Sequence, residues 1–153
     1  GLRGGTESVA HVVALGKASE IATEQFHKYA CLAALRDSLE ARLAKGAPEI
    51  KIFGRDAPRL PNTSKVMMPG VSSETQVIAL DLAGIDVSAG SACSAGRIEP
   101  PYVLTAMGVP ETDALCALRI SLGWDTTETE INRFVEEWVR IYERTSERHA
   151  SKE

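Results

Sequence analysis

The sequence lacks several features that mark specialised classes of protein. Its 153 residues contain no CxxC and no HxxxH spacing, so we predict no metal site. No apolar run approaches the ~18 residues that a bilayer span needs. The formal net charge of −4 provides no basic field for nucleic acid or for an acidic membrane surface. We therefore expect neither a nucleic acid nor a membrane among the partners.

Cysteine is scarce, with three residues, Cys31, Cys93 and Cys116, that lie far apart in the sequence. An odd count without paired spacing argues against a disulfide framework and for a reducing compartment, so we expect a cytoplasmic protein. Hydrophobic residues make up 44% and charged residues 25%, which suits one globular domain with a real core. The opening GLRGGTE has no initiator Met, which suggests a fragment or a processed piece.

Helical and strand periodicities follow one another along the chain. Apolar residues recur every three or four positions from Thr6 to about Lys45, which predicts a long helix with a possible break at 23–27. Short alternating segments predict strands at 50–53, 65–68, 85–87 and 117–122. Further helices are predicted at 73–82, at 102–107 and from 127 onwards. This order favours an α/β fold, with a short sheet covered by helices and preceded by a long helix.

Two helix starts carry a capping-box pattern, in which a hydroxyl residue is followed three positions later by Glu or Gln. One pairs Ser73 with Gln76, and the other pairs Thr127 with Glu130. Gly84 and Gly108 are predicted to close the helices that precede them.

Cys93 lies in SAGSACSAG, residues 88–96, where every other residue is Ser, Ala or Gly. Such a segment cannot build a core, and a thiol that it carries is accessible to reactants. We therefore interpret Cys93 as a nucleophile. The alternative is a small core residue, which is what most free cysteines are. For Cys31 and Cys116 we favour that structural role.

Four segments carry a resemblance to a known family. The segment SAGSACSAGRIEPPYVLTAMG, residues 88–108, resembles the active-site segment of NifS/IscS-type cysteine desulfurases. Those enzymes are class V aminotransferases of fold type I that use pyridoxal 5′-phosphate. GLRGGTESV, RLPNTSKVMMPGVSSETQVIALDLAGIDVS and ALRISLGWDTTETEI resemble further family segments in the same order, so the match runs to about Tyr142.

The resemblance implies a domain arrangement and an activity. Residues 1–22 would end the large cofactor domain and begin a connecting helix, and residues 23–153 would form the small C-terminal domain with the cysteine loop. In the full enzyme, the loop cysteine takes sulfur from L-cysteine as a persulfide and L-alanine is released. An iron–sulfur scaffold or another acceptor protein then receives the sulfur, and the full-length form is a homodimer.

The resemblance also assigns roles to individual residues. Cys93 matches the catalytic nucleophile, and Arg119 matches the arginine that binds the substrate carboxylate; a planar guanidinium suits that task. The alternative for Arg119 is a structural ion pair. Thr6 matches the threonine that binds the cofactor phosphate of the partner subunit, and its alternative is a helix N-cap. For Asn62, in the matching PNT turn, we predict a turn-stabilising role.

One departure from the family pattern decides what the chain is expected to do alone. Family members hold the cofactor on a lysine in a Ser-x-His-Lys context, and none of the lysines here lies in one. We therefore expect the isolated chain to be inactive and the cofactor to belong to the full enzyme. Two alternatives remain, namely a non-catalytic sulfur carrier or interaction module with a reactive cysteine arm, and a plain α/β domain with a structural Cys93.

Overall fold

The structure, a computed structural model, describes residues 5, 7–90 and 99–150, with side chains up to residue 145. The helices are α1 (Val9–Glu24), α2 (Phe26–Gly46), α3 (Ser73–Leu82), α4 (Tyr102–Ala106), α5 (Glu111–Ala114) and α6 (Glu128–Ala150). The strands are β1 (Lys51–Phe53), β2 (Thr63–Met67), β3 (Ser88–Ala89) and β4 (Ala117–Ser121). None of the helices in this described part of the chain combines the length and apolar character that a bilayer span requires.

The strands form one antiparallel sheet in the order β1-β2-β4-β3. The two longest strands, β2 and β4, are neighbours at its centre, with Lys65 opposite Arg119. The short β3 pairs with the other edge of β4 and places Ser88 opposite Arg119. The predicted α/β class, with a short sheet covered by helices, is confirmed.

One face of the sheet packs on the main core. Val66, Leu118 and Ile120 point to this face, where α2, α3 and α6 cover them. Trp138 of α6 is fully buried, and its Nε1–H donates to Oε1 of Gln76 on α3 at 3.1 Å. The Gln76 Nε2 donates to the carbonyls of Val71 and Cys116. A buried amide with its donors and acceptor paired joins two helices to the start of β4.

The other face of the sheet is divided in two. Its apolar part comprises Met67 and Ala117, which pack with Leu104 of α4 and Ala114 of α5. Its polar part lies further along β2 and β4 and carries the Thr63 hydroxyl and the basic side chains of Lys65 and Arg119. Because successive side chains of a strand alternate between faces, those basic side chains cannot belong to the main core.

The long N-terminal helix is broken where the sequence predicted a break. Gln25 adopts φ −99° and ψ 10° and separates α1 from α2. The apolar positions of the first half, Leu15 and Ala22 among them, are exposed in the described part of the molecule. No residue of α1 is buried against the described parts of the chain. Burial begins only at Leu32, where α2 reaches the sheet.

Two local predictions need correction. The strand predicted at 85–87 is instead β3 at Ser88–Ala89, because pairing with Arg119 and Leu118 of β4 decides where the ladder forms. The capping box predicted for Ser73 and Gln76 is also wrong. Ser72 is the N-cap and accepts from the Thr75 backbone N–H at 3.2 Å, while the Gln76 side chain is used in the core.

The second capping box is confirmed. The Thr127 backbone N–H donates to Oε2 of Glu130 at 2.7 Å, and the Glu130 N–H donates to the Thr127 hydroxyl at 3.3 Å. The backbone and hydroxyl donors of Thr127 hold the pKa of Glu130 below its ordinary value. Gly84 and Gly108 follow their helices with φ of 69° and 80°, as predicted for helix-closing glycines.

Candidate active site

Arg119 lies on the polar part of the second sheet face, at the centre of β4. Its Nη2 donates to the Ser88 hydroxyl at 3.3 Å across the β3–β4 pair. The side chain is exposed, and the structure gives it no carboxylate partner among the described residues. The structural ion pair considered for Arg119 is therefore not observed in the described part of the molecule. Most of its guanidinium donors remain available to an anion.

Lys65 is the cross-strand neighbour of Arg119 on the same face. Its Nζ donates to the Ala117 carbonyl at 3.1 Å, which uses one of three ammonium donors. Burial, together with the nearby Arg119 charge, lowers the pKa of Lys65 to about 8. No motif in the sequence assigns a function to Lys65. A lysine in an apolar strand becomes significant only once β2 is known to pair with β4, because that pairing places Lys65 beside Arg119.

The two cations line a cavity of about 380 Å³ between the sheet and α4. Its polar wall consists of Thr63, Lys65 and Arg119. Its opposite wall is formed by Gly90 and residues 101–104. A cavity of this size, mostly apolar and with a few polar groups on one wall, suits a small ligand.

Gly90 allows the two walls to approach closely. A Cβ atom at this position would overlap the Pro101 ring, so a side chain here would require the start of α4 to move. The small residue is therefore needed at the mouth of the cavity, which is one physical reason for the Ser, Ala and Gly composition of this part of the chain.

Asn62 fixes the beginning of β2 beside the cavity. Its Oδ1 accepts from the Tyr29 hydroxyl at 2.9 Å and from the Thr63 hydroxyl at 3.1 Å. Its Nδ2 donates to the Leu122 carbonyl at 3.1 Å. The predicted turn-stabilising role agrees with these contacts, which connect α2, β2 and the end of β4. Tyr29 also contacts Trp124, with ring centroids 5.7 Å apart.

The other predicted site residues fall outside the described residues. Cys93 lies between 91 and 98, and Thr6 lies next to the described Gly5. Their assignments as nucleophile and phosphate-binding residue therefore stay predictions. The structure positions Arg119, and it adds Lys65 to the same wall.

The remaining two cysteines differ from each other. Cys116 is partly buried and packs with the apolar part of the second face, and its Sγ donates to the Thr112 carbonyl at 3.3 Å. Burial and the nearby Asp113 carboxylate raise the pKa of its thiol. The structural role predicted for Cys116 agrees with this. The same prediction for Cys31 is wrong, because Cys31 is exposed, outside the stripe of α2 that includes Leu32 and Leu39.

A second hollow, of about 600 Å³, lies between α2 and the loop that follows β1. Its main feature is Glu40, whose buried carboxylate accepts two hydrogen bonds from Arg59 and one from the Ser64 hydroxyl. Burial opposes ionisation of Glu40, but the Arg59 and Ser64 donors outweigh it and hold its pKa below the ordinary value. Because these charges are already paired, we interpret the cluster as a structural link between helix and loop.

Comparison with known proteins identifies the family. Residues 1–134 match the family described as aminotransferase class-V. This chain belongs to the class V aminotransferases. The match covers most of the sequence, including β2, the cavity and β4, so Arg119 and Lys65 both lie inside the family region.

Individual relatives within the class V aminotransferases are cysteine desulfurases. The chain is 43% identical over 136 residues to a cysteine desulfurase of Cereibacter sphaeroides, covering 89% of this chain and 35% of that protein. It is 39% identical over 138 residues to the cysteine desulfurase NifS of Azotobacter vinelandii, covering 90% and 34%. The predicted resemblance to NifS-type cysteine desulfurases is confirmed. The chain spans about a third of the length of these relatives.

The fold is also similar to that of solved class V aminotransferase relatives. A NifS-like protein from Rickettsia africae superposes with a TM-score of 0.81 at 34% identity, covering 92% of this chain and 36% of that one. A second NifS-like protein gives a TM-score of 0.76 at 34% identity and also covers 92% of this chain.

The family implies pyridoxal 5′-phosphate. The described residues fit the substrate-binding part of such a site but not the part that attaches the cofactor. Arg119 can bind the carboxylate of an amino-acid substrate. Lys65, which lines the cavity, follows Thr63 and Ser64 rather than a Ser-x-His sequence, and its Nζ donates to a backbone carbonyl. The described residues thus fit substrate binding but not the covalent attachment of the cofactor.

Proposed function

We propose that this chain supplies the sulfur-accepting and carboxylate-binding residues of a cysteine desulfurase. In this proposal Cys93 is the nucleophile and Arg119 binds the carboxylate of L-cysteine. The observation that supports it most is the position of Arg119, whose guanidinium has no carboxylate partner among the described residues and lines a small-molecule cavity. The chain's similarity to cysteine desulfurases along the same segment makes L-cysteine the substrate of choice.

The chemistry assigned to Cys93 needs no external oxidant. The Cys93 thiolate forms a sulfur–sulfur bond with the substrate thiol while the substrate's carbon–sulfur bond breaks. The electron pair of that bond stays with the carbon skeleton, which takes up a proton and leaves as L-alanine. Both sulfurs are then at the persulfide level, and the carbon has been reduced. Pyridoxal 5′-phosphate, when bound, serves as the electron sink for such chemistry.

We also propose that the activity requires residues beyond those of this chain. The lysines present do not lie in a Ser-x-His-Lys context, and the chain spans about a third of its relatives. In the proposed arrangement, residues 1–22 belong to the large cofactor domain and residues 23–153 form the small domain. The absence of buried residues in α1, among the described parts, supports this division. Thr6 would contact the cofactor phosphate of the partner subunit in a cytoplasmic homodimer.

Incubation of the isolated chain with pyridoxal 5′-phosphate tests this dependence. We expect no absorbance band of bound cofactor to survive dialysis and no L-alanine to form from L-cysteine. A dialysis-stable band, or L-alanine above the protein-free control, would contradict the proposed dependence. Determining the gene sequence before the codon of Gly1 gives an independent test, and we expect an open frame that encodes a Ser-x-His-Lys motif.

The competing function is a non-catalytic sulfur carrier with a reactive cysteine arm. Both functions require a reactive Cys93, so alkylation alone does not separate them. Comparing two sulfur donors does. A carrier gains a persulfide on Cys93 from inorganic polysulfide, but forms neither a persulfide nor L-alanine from L-cysteine, even as part of a longer protein. With L-cysteine as the only sulfur donor to the longer protein, we expect Cys93 persulfide and L-alanine in equal amounts per turnover.

A further inference from the structure

The cavity beside Arg119 contains a second cation that the proposed function does not use. Lys65 lies directly across the β2–β4 ladder from Arg119, on the same face and in the same cavity wall. Side chains at directly opposite positions of an antiparallel pair have Cβ atoms about 5 Å apart, and like charges there repel. Within the described residues, neither cation forms an ion pair that would offset this repulsion.

We propose that Lys65 and Arg119 together form one carboxylate site, in which a bound carboxylate contacts both cations. The proposal rests on the proposed function, because it adds a second binding residue to the site of Arg119. It makes Lys65 a determinant of affinity for amino acids and other carboxylate ligands.

The hydrogen-bond inventory of the cavity wall supports this pairing. Thr63, the third polar residue of the wall, donates its hydroxyl hydrogen to Asn62 and so has no proton left for an anion. Lys65 spends one ammonium donor on the Ala117 carbonyl and retains two. Arg119 spends one of five donors on Ser88. Of the three residues of the polar wall, Lys65 and Arg119 hold the free donors that a carboxylate needs.

The electrostatic environment of Lys65 also favours an anion bound between the two cations. Burial and the Arg119 charge disfavour the ammonium form of Lys65, and no acidic group among the described residues contributes to its shifted pKa. An anion between the two cations would relieve both effects, because its negative charge favours the charged form of each neighbour. The ligand class that suits the site is therefore a small carboxylate, bound against the polar wall with its side chain toward residues 101–104.

The experiment is an NMR titration of the 153-residue chain with acetate, at constant ionic strength maintained with sodium chloride. The reporters are the ¹³Cε–¹H signals of lysine and the ¹³Cδ–¹H signals of arginine, assigned through the variants K65M and R119M. At pH 7 we expect the Lys65 and Arg119 signals to shift with one common half-saturation concentration. The pKa of Lys65 should rise in saturating acetate.

The matched control is K51M. Lys51 lies on the neighbouring strand β1 but is paired with Asp113 at 3.2 Å, so its removal should change acetate affinity less than twofold. K65M should weaken binding about fivefold, in the range of one partly exposed ion pair. R119M should weaken it about tenfold or more, since a bidentate contact is lost.

The outcomes separate the two-cation site from the carboxylate role of Arg119 alone. If acetate shifts Arg119 but not Lys65, and K65M binds as the wild type does, the two-cation site is wrong while the role of Arg119 stands. If neither signal responds, the carboxylate role of Arg119 fails as well. If chloride alone produces the same Lys65 shift, the effect is screening and the proposal is overturned. If K65M does not fold, the pKa of wild-type Lys65 provides the test. A rise in saturating acetate supports the two-cation site, and an unchanged pKa contradicts it.

Discussion

Lys65 and Arg119 occupy directly opposed positions on β2 and β4, and both line the same 380 Å³ cavity. The pairing places two basic side chains on a face whose other half is apolar and covered by α4 and α5. Selection for stability alone would not place two cations there, because directly opposed like charges destabilise a sheet. The arrangement is therefore better explained by ligand binding than by folding.

The pH dependence of stability provides a first test of the Lys65 environment. Its pKa is about 8 in the folded chain and near 10.5 when unfolded, so the unfolded chain binds more protons between these values. The contribution of Lys65 to the unfolding free energy should therefore rise from pH 8 to pH 10. Denaturant unfolding of wild type and K65M measures it. We expect the difference between the two proteins to change with pH in this window; a constant difference would contradict the buried cation.

The Arg59–Glu40 pair predicts a strong effect of one substitution. Arg59→Met leaves the buried Glu40 carboxylate without its bidentate partner and should lower the unfolding free energy at pH 7 by about 3–5 kcal/mol. Arg55→Met provides the control, because Arg55 lines the same hollow and is exposed. Equal effects of the two substitutions in urea unfolding would refute the buried-pair account.

The sign of the pH dependence follows for the same variant. In the wild type, Glu40 has a lowered pKa, so its contribution to stability is present above about pH 4.5 and is lost as pH falls through the folded pKa. Without Arg59, burial should raise that pKa instead. The stability gap between wild type and Arg59→Met should therefore narrow as pH falls from 7 towards 4. A gap that stays the same would mean that Glu40 is not the cause.

Gln76 and Trp138 give a prediction for the main core. Gln76→Leu removes the acceptor of the buried Trp138 Nε1–H and both bonds from the Gln76 amide, and should cost about 3 kcal/mol. The double variant Gln76→Leu/Trp138→Phe removes the orphaned indole donor as well. Its cost should be smaller than the sum of the two single costs, as measured by thermal and urea unfolding. Strict additivity would argue against the bond.

Gly90 predicts how the cavity wall tolerates a side chain. A Cβ at Gly90 overlaps Pro101, so Gly90→Ala should cost about 1–3 kcal/mol and weaken acetate binding by displacing the start of α4. Gly16→Ala is the control, since a Cβ there meets no atom within 4 Å and alanine favours the helix. An unfolding midpoint of Gly90→Ala at or above that of the wild type would contradict the close approach.

Sequence periodicity predicted the order of the main elements well because most of them carry local signals. The break at Gln25, the Thr127–Glu130 cap and the closing Gly84 and Gly108 all depend on neighbouring residues. The failures have a tertiary cause. β3 forms where β4 offers a partner, three residues later than the local pattern suggested.

The candidate site could be predicted only in part, because some of its residues lie in a local motif and others matter only through tertiary pairing. The motif around Arg119 predicts its role, whereas Lys65 gains significance only from the pairing of β2 with β4, which no local pattern encodes. The apolar helix around Cys31 predicts a core position, but the helix angle places Cys31 outside the buried stripe. The spacing of Ser73 and Gln76 predicts a cap, although the core uses the Gln76 amide.

The most direct test of the proposed function follows the sulfur atom itself. The longer protein that we propose to contain this chain is incubated with ³⁵S-labelled L-cysteine, without reductant or acceptor, and its peptides are separated by chromatography and identified by mass spectrometry. Cys93→Ala serves as the control. The account predicts one labelled sulfur per subunit, on the peptide that contains Cys93, with an equal amount of L-alanine. Label on the Cys31 or Cys116 peptide instead, or L-alanine formed at the wild-type rate by Cys93→Ala, would contradict it.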